Sequence, residues 1–173
     1  MNPARAGIGP DEFGGPFANY IGLVTETDIL AAMAAQLDDA MRLLRPVPEA
    51  VGNQRHPPYT WSVKQVVGHI TDTERIFAYR ALRFARGDVT SLPSFDENAY
   101  ADAAESDRVS LASLVNEFEA VRRADLLLFQ HLPGDAWSRR GVASGQTLTV
   151  RALAYAVVGH ARHHLAILRK RLG

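Results

Sequence analysis

The chain has 173 residues, of which 47% are hydrophobic and 22% charged, and it contains no cysteine. This length and composition are typical of one globular domain with a single core, and they exclude a disordered or fibrous protein. The 19 basic residues are balanced by 19 acidic ones, which argues against nucleic-acid binding, because that function usually needs a basic excess. Without cysteine there is no disulfide, thiolate nucleophile or iron–sulfur cluster, so any metal needs nitrogen or oxygen ligands.

The beginning of the chain is rich in residues that interrupt regular structure. Residues 1–19 contain four glycines and three prolines, which predicts a flexible N-terminal arm ahead of a single domain at 20–173. The arm lacks the apolar stretch of a signal peptide, and no run of about 18 apolar residues follows it. We therefore expect a cytoplasmic protein that does not cross a membrane.

The first half of the domain shows two helical patterns. Apolar residues recur at spacings of three and four over about 26–45, which predicts the first helix. The second helix is expected to begin after Ser62, with Gln65 completing a capping box, and to run to about Arg86. The pattern then lapses over residues 87–107, which predicts a long loop that contains about one turn of helix, and loops of this length are often functional.

The second half of the domain also contains two predicted helices. A third helix is predicted over about 111–131, and a fourth begins after Thr149, which can cap it. The sequence shows no strand signals, no internal repeat and no low-complexity segment. Amphipathic helices of this length bury their apolar faces against one another, so the predicted fold is all-α, an antiparallel four-helix bundle with long connecting loops.

A pair of histidines on the fourth helix is the first candidate for chemistry. His160 and His164 are four residues apart, so their imidazoles lie one above the other on one helix face, whereas His163 points further round. Such a pair is a possible metal site, but two partly buried or capping histidines would give the same spacing. Because Ala161 follows the first histidine where a zinc protease has glutamate, the HExxH protease motif is excluded.

A further histidine on the second helix strengthens the metal interpretation. His69 lies at the edge of the apolar face, and three neutral imidazoles from two adjacent helices would leave a coordination position open, as in catalytic sites. A single histidine hydrogen-bonded in the core is the alternative. Asp72, one turn from His69, is predicted to orient a ligand or to act as a base, while Glu74 points away. A solvated charged face is the competing interpretation of both carboxylates.

Two segments then resemble a known family. The sequence Trp-Ser-Val-Lys-Gln-Val-Val-Gly-His-Ile at 61–70 resembles the second-helix motif of the DinB-like four-helix family, which includes the YfiT-type metal-dependent hydrolases. The sequence Gly-His-Ala-Arg-His-His at 159–164 is similar to the motif of that family's last helix. The resemblance covers about residues 20–171, and its specificity comes from three histidines in the right helices and the right order.

The resemblance carries expectations about the site. It implies that His69, His160 and His164 are the ligands of one divalent metal, variously nickel, zinc or iron, with water bound beside them. It also implies an up-down-down-up bundle that is commonly a homodimer. Relatives include S-transferases that use low-molecular-weight thiols such as bacillithiol, and an isomerase that uses mycothiol. No general base in this chain matches a family motif.

Two functions follow as hypotheses. The first is a metal-dependent enzyme acting on a small molecule, either as a hydrolase that uses metal-bound hydroxide or as a transferase that uses a bound thiol cosubstrate. The second is a non-catalytic, dimeric metal-binding bundle. For the enzyme, His163 is a further catalytic candidate, and five residues are predicted to contact substrate: Trp61, Arg80, Asp96, Tyr100 and Trp137.

Overall fold

Four long helices form the body of the protein in a computed structural model that describes residue 4 and residues 6–173. These helices are α2 (Ile29–Leu44), α4 (Val63–Ala85), α6 (Leu111–Gln130) and α7 (Val150–Leu172). Three short helices lie in the connections: α1 (Phe17–Ile21), α3 (Glu49–Gly52) and α5 (Glu97–Ala103). The predicted all-α four-helix bundle is thus confirmed. Within the described part of the chain, no helix is both long and apolar enough to cross a membrane.

The helix ends follow the expected capping chemistry. The Ser62 hydroxyl accepts a hydrogen bond from the Gln65 backbone N–H, and the Gln65 side chain accepts one from the Ser62 N–H, both at 3.0 Å. At the start of α7, the Thr149 hydroxyl accepts from the Ala152 N–H at 2.9 Å. These contacts satisfy backbone donors that have no partner inside the helix, and each stabilises its helix by about 1 kcal/mol.

A β-hairpin precedes α7, although the sequence predicted no strand. Strands β1 (Arg140–Ala143) and β2 (Gln146–Thr149) pair in antiparallel register. Ser144 and Gly145 between them both have positive φ, as a two-residue type I′ turn requires. A Ser-Gly turn between four-residue strands gives a weaker sequence signal than Asn-Gly between longer ones, which explains the error.

The segment predicted as an N-terminal arm packs against the bundle where it is described. Phe17 is buried in the core, and Glu12 pairs with Arg151 of α7 at 2.9 Å while accepting a hydrogen bond from Thr149. The predicted boundary between residues 19 and 20 falls inside α1. Residues 1–3 and 5 of the predicted arm lie outside the described residues.

A buried polar layer crosses the bundle at mid-height and separates two apolar clusters. Arg122 of α6 is fully buried and donates two hydrogen bonds to the Glu74 carboxylate of α4, at 2.5 and 2.8 Å. Its other terminal nitrogen donates to Gln36 Oε1 and to the Met33 carbonyl of α2. The Gln36 amide in turn donates to the Val158 carbonyl of α7 at 2.9 Å. One network therefore joins all four long helices.

This network corrects the interpretation of Glu74. The sequence suggested that its side chain points away from the site into a solvated face, whereas only 2% of the residue is exposed. A helical pattern on α4 alone shows that Glu74 lies off the apolar stripe, but it does not show that Arg122 of α6 covers it. The carboxylate is tolerated because both oxygens accept hydrogen bonds from one guanidinium.

Removing one partner of this ion pair is expected to be strongly destabilising. Glu74→Ala leaves the Arg122 guanidinium buried without its counter-ion, and we expect a loss of about 3–5 kcal/mol in the free energy of unfolding. Glu74→Leu combined with Arg122→Met should cost less than the sum of the single variants, because neither charge is then stranded. Urea denaturation followed by circular dichroism measures both.

An exposed pair on α6 provides the matched control. Glu119 is partly exposed and pairs near the surface both with Arg123, at 2.7 Å, and with Arg45, so Glu119→Ala should cost about 1 kcal/mol or less. An equal loss for Glu74→Ala and Glu119→Ala would contradict the assignment of the buried pair as the stabilising one.

Asp125, one turn beyond Arg122, gives the fold a pH dependence. Burial first, and the Glu74 charge second, raise the pKa of its carboxyl to about 7 against the opposing effects of Arg122 and Arg75. Because the ordinary pKa is near 3.9, the folded protein binds the proton more tightly between about pH 4 and 7. The free energy of unfolding contributed by Asp125 therefore falls as pH rises through that window.

Asp125→Asn should remove this loss, since the amide does not ionise. Chemical denaturation of wild type and variant at pH 5 and pH 8 tests it, and the wild type is expected to lose more stability than the variant on going to pH 8. Parallel pH profiles for the two proteins would show that Asp125 is ionised normally in the folded state.

Candidate metal centre

Three histidines from α4 and α7 meet at one point. His69 lies on the second turn of α4, and His160 and His164 lie on one face of α7, which packs along α4. His69 is 8% exposed and His160 4% exposed, while His164 is partly buried. The helical spacing of four therefore aims the α7 pair at the α4 histidine.

The side chains approach closely enough to share a ligand. His69 Nε2 lies 2.9 Å from His160 Nε2, and one ring nitrogen from each of His69, His160 and His164 lies within 4.8 Å of the others. The three ring centroids are 4.5–4.8 Å apart. This is the ligand type and number of a catalytic zinc or similar site, in which a fourth position is left for water or substrate.

Burial keeps the three imidazoles neutral. Burial is the main reason that the pKa of His69 falls to about 4, and the Glu97 charge opposes this shift. Burial is also the main reason that the pKa of His164 falls to about 3, and the neighbouring His69 lowers it in the same direction. The pKa of His160 is also far below its usual range, first because of burial and then because of the neighbouring histidines. Neutral imidazoles offer the lone pairs that a divalent transition metal needs, so the donor set fits such an ion.

The three histidines lie beside a cavity of about 360 Å³. Its walls are mainly aromatic, and side chains from α1, α4 and the preceding loop contribute Phe17, Tyr20, Trp61, Thr73, Phe77 and Arg80. The loop after α4 adds Phe95, the first residue of α5 adds Glu97, and the hairpin turn adds Ser144. A cavity of this size with a few polar groups is suited to a small molecule.

Two of the five predicted substrate-contacting residues line this cavity. The Trp61 ring centroid is 4.7 Å from that of His69, so the indole covers the histidines from the side of the α3–α4 loop. Arg80 lies on α4 at the other end of the cavity. The structure thus brings these two residues together with the three histidines.

Both predicted catalytic candidates lie outside the cavity. Asp72 lies on the side of α4 that faces α6. Its Oδ1 is 3.5 Å from Nη1 of Arg75, also on α4, and the same Arg75 nitrogen binds Glu117 of α6. Burial raises the pKa of Asp72, but its carboxylate does not orient a histidine. His163 is exposed and its ring lies edge-on to Tyr20, with centroids 5.8 Å apart. The proposal of either residue as a base has no geometric support.

The other three predicted substrate contacts have structural roles. Asp96 caps α5 by accepting hydrogen bonds from the N–H groups of residues 98 and 99. Tyr100 is about half exposed and packs on Phe95, with ring centroids 5.2 Å apart. Trp137 is only 2% exposed and packs against Phe129 in the core. None of the three lines the cavity.

Several cavity residues were missed by the sequence analysis. Thr73 and Phe77 follow His69 at helical spacing, so the period of α4 would have placed them on the same face. Tyr20 and Glu97 come from segments without a periodic pattern, and nothing in the sequence places them here. Glu97 is the one acidic side chain that lines the cavity in the described part of the chain.

Gly159 explains how Tyr20 reaches the histidines. A Cβ on this residue would lie 2.1 Å from the Tyr20 carbonyl oxygen, so only glycine lets α1 lie this close to α7. The contact brings the Tyr20 ring to 5.1 Å from that of His160. The glycine that precedes the histidine pair therefore shapes the cavity.

The comparisons with known proteins agree with this fold. The family model of the DinB superfamily matches residues 32–168. No curated protein matches the sequence.

Two solved structures have the same fold. YfiT from Bacillus subtilis, described as a probable metal-dependent hydrolase with an unusual four-helix bundle topology, is 18% identical with a TM-score of 0.67, covering 100% of this chain and 99% of that one. A mycothiol-dependent maleylpyruvate isomerase is 16% identical with a TM-score of 0.68, over 80% of this chain and 58% of its own. Because the family model spans most of the bundle, the chain belongs to the DinB superfamily.

Proposed function

We propose that the protein is a metal-dependent enzyme in which His69, His160 and His164 hold one divalent transition metal ion, such as nickel, zinc or iron. The observation that carries this proposal is the convergence of three neutral imidazoles within 4.8 Å of one another beside a small-molecule cavity. The two structural neighbours support it, because one is described as a probable metal-dependent hydrolase and the other as a mycothiol-dependent maleylpyruvate isomerase.

The reaction is either hydrolysis or the transfer of a low-molecular-weight thiol. When bound, the ion would supply hydroxide or thiolate at neutral pH, because it lowers the pKa of a coordinated water or thiol. Since the chain has no cysteine, a thiol nucleophile has to arrive as a cosubstrate. Both reactions use the open coordination position of a three-histidine site.

The residues around the histidines would handle protons and exclude water. Glu97 is a carboxylate that faces His69 and Tyr20, whose pKa values it raises, so it is placed to accept a proton near the histidines. Burial is the main reason that the pKa of the Tyr20 hydroxyl is raised, and the raised pKa keeps that group protonated as a hydrogen-bond donor. Trp61 and Phe77 exclude water from two sides, which strengthens the electrostatic interactions of the site.

Metal analysis of the purified protein tests the site. We expect about one transition-metal ion per chain in the wild type, and much less in each of His69→Ala, His160→Ala and His164→Ala. His163→Ala is the matched control, because the exposed His163 neighbours the site on the same helix without belonging to the set. Plasma mass spectrometry after dialysis against each metal measures the content.

Two outcomes decide between the hypotheses. If the wild type binds no more metal than the three variants, the metal site is disproved. If it binds metal, we expect turnover in a panel of small thiols with electrophilic acceptors or in a panel of esters and amides, with activity lost on chelation and restored by metal. A metal-bound protein that turns over neither panel would favour the non-catalytic bundle.

A further inference from the structure

Arg80 is a buried cation at the end of the cavity opposite the histidines. It follows His69 by 11 residues, which is three helical turns, so both side chains lie on one face of α4. Only 3% of Arg80 is exposed, and it lines the same cavity. A guanidinium this deeply buried normally has a carboxylate partner, because an uncompensated charge is costly to remove from water.

No carboxylate pairs with Arg80 among the described residues. Its Nη2 donates to the Pro93 carbonyl at 2.7 Å and to the Ser144 hydroxyl at 3.1 Å, and neither acceptor carries a charge. Burial lowers the pKa of Arg80, and no acidic group opposes that shift. No described residue accepts a hydrogen bond from its Nε or Nη1, so these donors are available to a ligand. Arg80 lines the cavity of the histidines and also a second cavity with Tyr79, Arg83 and Tyr100.

A second polar group in the cavity also lacks a partner. Thr73 is 2% exposed, and its Oγ1 makes no hydrogen bond with any described residue. Thr73 lies one turn after His69 on the face that leads to Arg80, and it lines the cavity. Buried hydroxyls nearly always find a partner in folded proteins, so an unpartnered hydroxyl in the same cavity and on the same helix face as an unpaired guanidinium indicates a polar ligand.

An aromatic wall connects the two ends of the cavity. The Phe77 ring lies 6.0 Å from that of His160 and 5.9 Å from the Arg80 guanidinium carbon. Phe95 contacts the same guanidinium from the loop side, at 6.0 Å. A small molecule with an apolar middle can therefore reach the histidines while its other end is held at Arg80.

The acidic side chain of the cavity does not neutralise Arg80. Glu97 raises the pKa values of His69 and Tyr20, and among the described residues no ion pair or hydrogen bond joins Glu97 to Arg80. The cavity thus has an acidic side near the histidines and a cationic end at Arg80. A ligand with one negative charge matches the single guanidinium, whereas the double charge of a phosphate monoester would be only half compensated.

We propose that Arg80, with Thr73, forms a subsite for the carboxylate of the substrate, so that the enzyme acts on a small organic acid. Ser144, held in the hairpin turn, keeps the guanidinium in place. The carboxylate would accept hydrogen bonds from the free guanidinium donors and from the threonine hydroxyl. This inference deepens the proposed function, and it rests on that function only for the reacting end of the molecule.

The binding of phenylacetate and of phenylacetamide to wild-type protein tests the subsite. The two probes have the same shape and differ in charge, and isothermal titration calorimetry measures their affinities in metal-free and zinc-loaded protein. We expect the acid to bind roughly 10- to 100-fold more tightly than the amide, as charged hydrogen bonds of this kind give. Benzylphosphonate should bind no better than phenylacetate.

Substitutions locate the effect. Arg80→Gln should abolish the preference for the acid, Arg80→Lys should retain part of it, and Thr73→Val should reduce it without removing it. Arg83→Gln is the matched control, because Arg83 lies one turn further on α4 and is paired with Asp88 outside the cavity. Thermal unfolding of each variant shows whether it is folded, and the comparison of acid with amide in the wild type needs no variant.

The two proposals fail in different ways. Equal affinity for acid and amide, or tighter binding of the phosphonate, would overturn the carboxylate subsite and leave the metal site intact. Binding of the acid that disappears in metal-free protein but persists in Arg80→Gln would place the carboxylate on the metal and also overturn the subsite. A protein that binds no metal but still selects the acid through Arg80 would retain the subsite and disprove the proposed metal-dependent function.

Discussion

The bidentate pair between Arg122 and Glu74 is the constraint on which the arrangement of the bundle depends. Apolar side chains pack in many registers at similar cost, whereas a buried guanidinium and carboxylate match in only one. Gln36 extends the network to the Val158 carbonyl of α7, two residues before His160. Because Glu74 follows His69 by five residues on a different face of α4, the contact with α6 also fixes the level at which His69 meets α7.

Small residues on α7 then allow the close approach that the site requires. Ala152, Ala154, Ala156 and Ala161 are almost completely buried, and Gly159 contacts the α1 backbone directly. A helix with such short side chains lets neighbouring backbones come near. His160 and His164 consequently extend from α7 into a narrow space and are removed from water. Their burial, which makes them neutral, is therefore a consequence of the packing around α7.

The parts of this structure that the sequence predicted depend on interactions within one helix. The Ser62–Gln65 capping box and the spacing of His160 and His164 are contained in four or five consecutive residues, so the helical period is enough to predict them. Glu74 was misjudged because its partner lies on α6, and Glu97 was missed because α5 has no apolar period. Predicting contacts between elements requires knowledge of which helix faces meet, and one sequence does not supply that.

Arg122 and Arg80 differ in how their buried charges are paired. Arg122 and Arg80 are about equally removed from solvent, and each lies on a long helix near aromatic rings. Arg122 has a carboxylate and two further acceptors from the protein, so its charge is compensated during folding. Arg80 has neutral acceptors alone, and its charge is held in place by the packing energy of the rest of the bundle. Folding stability gains little from such a charge, and the carboxylate of the proposed ligand would compensate it.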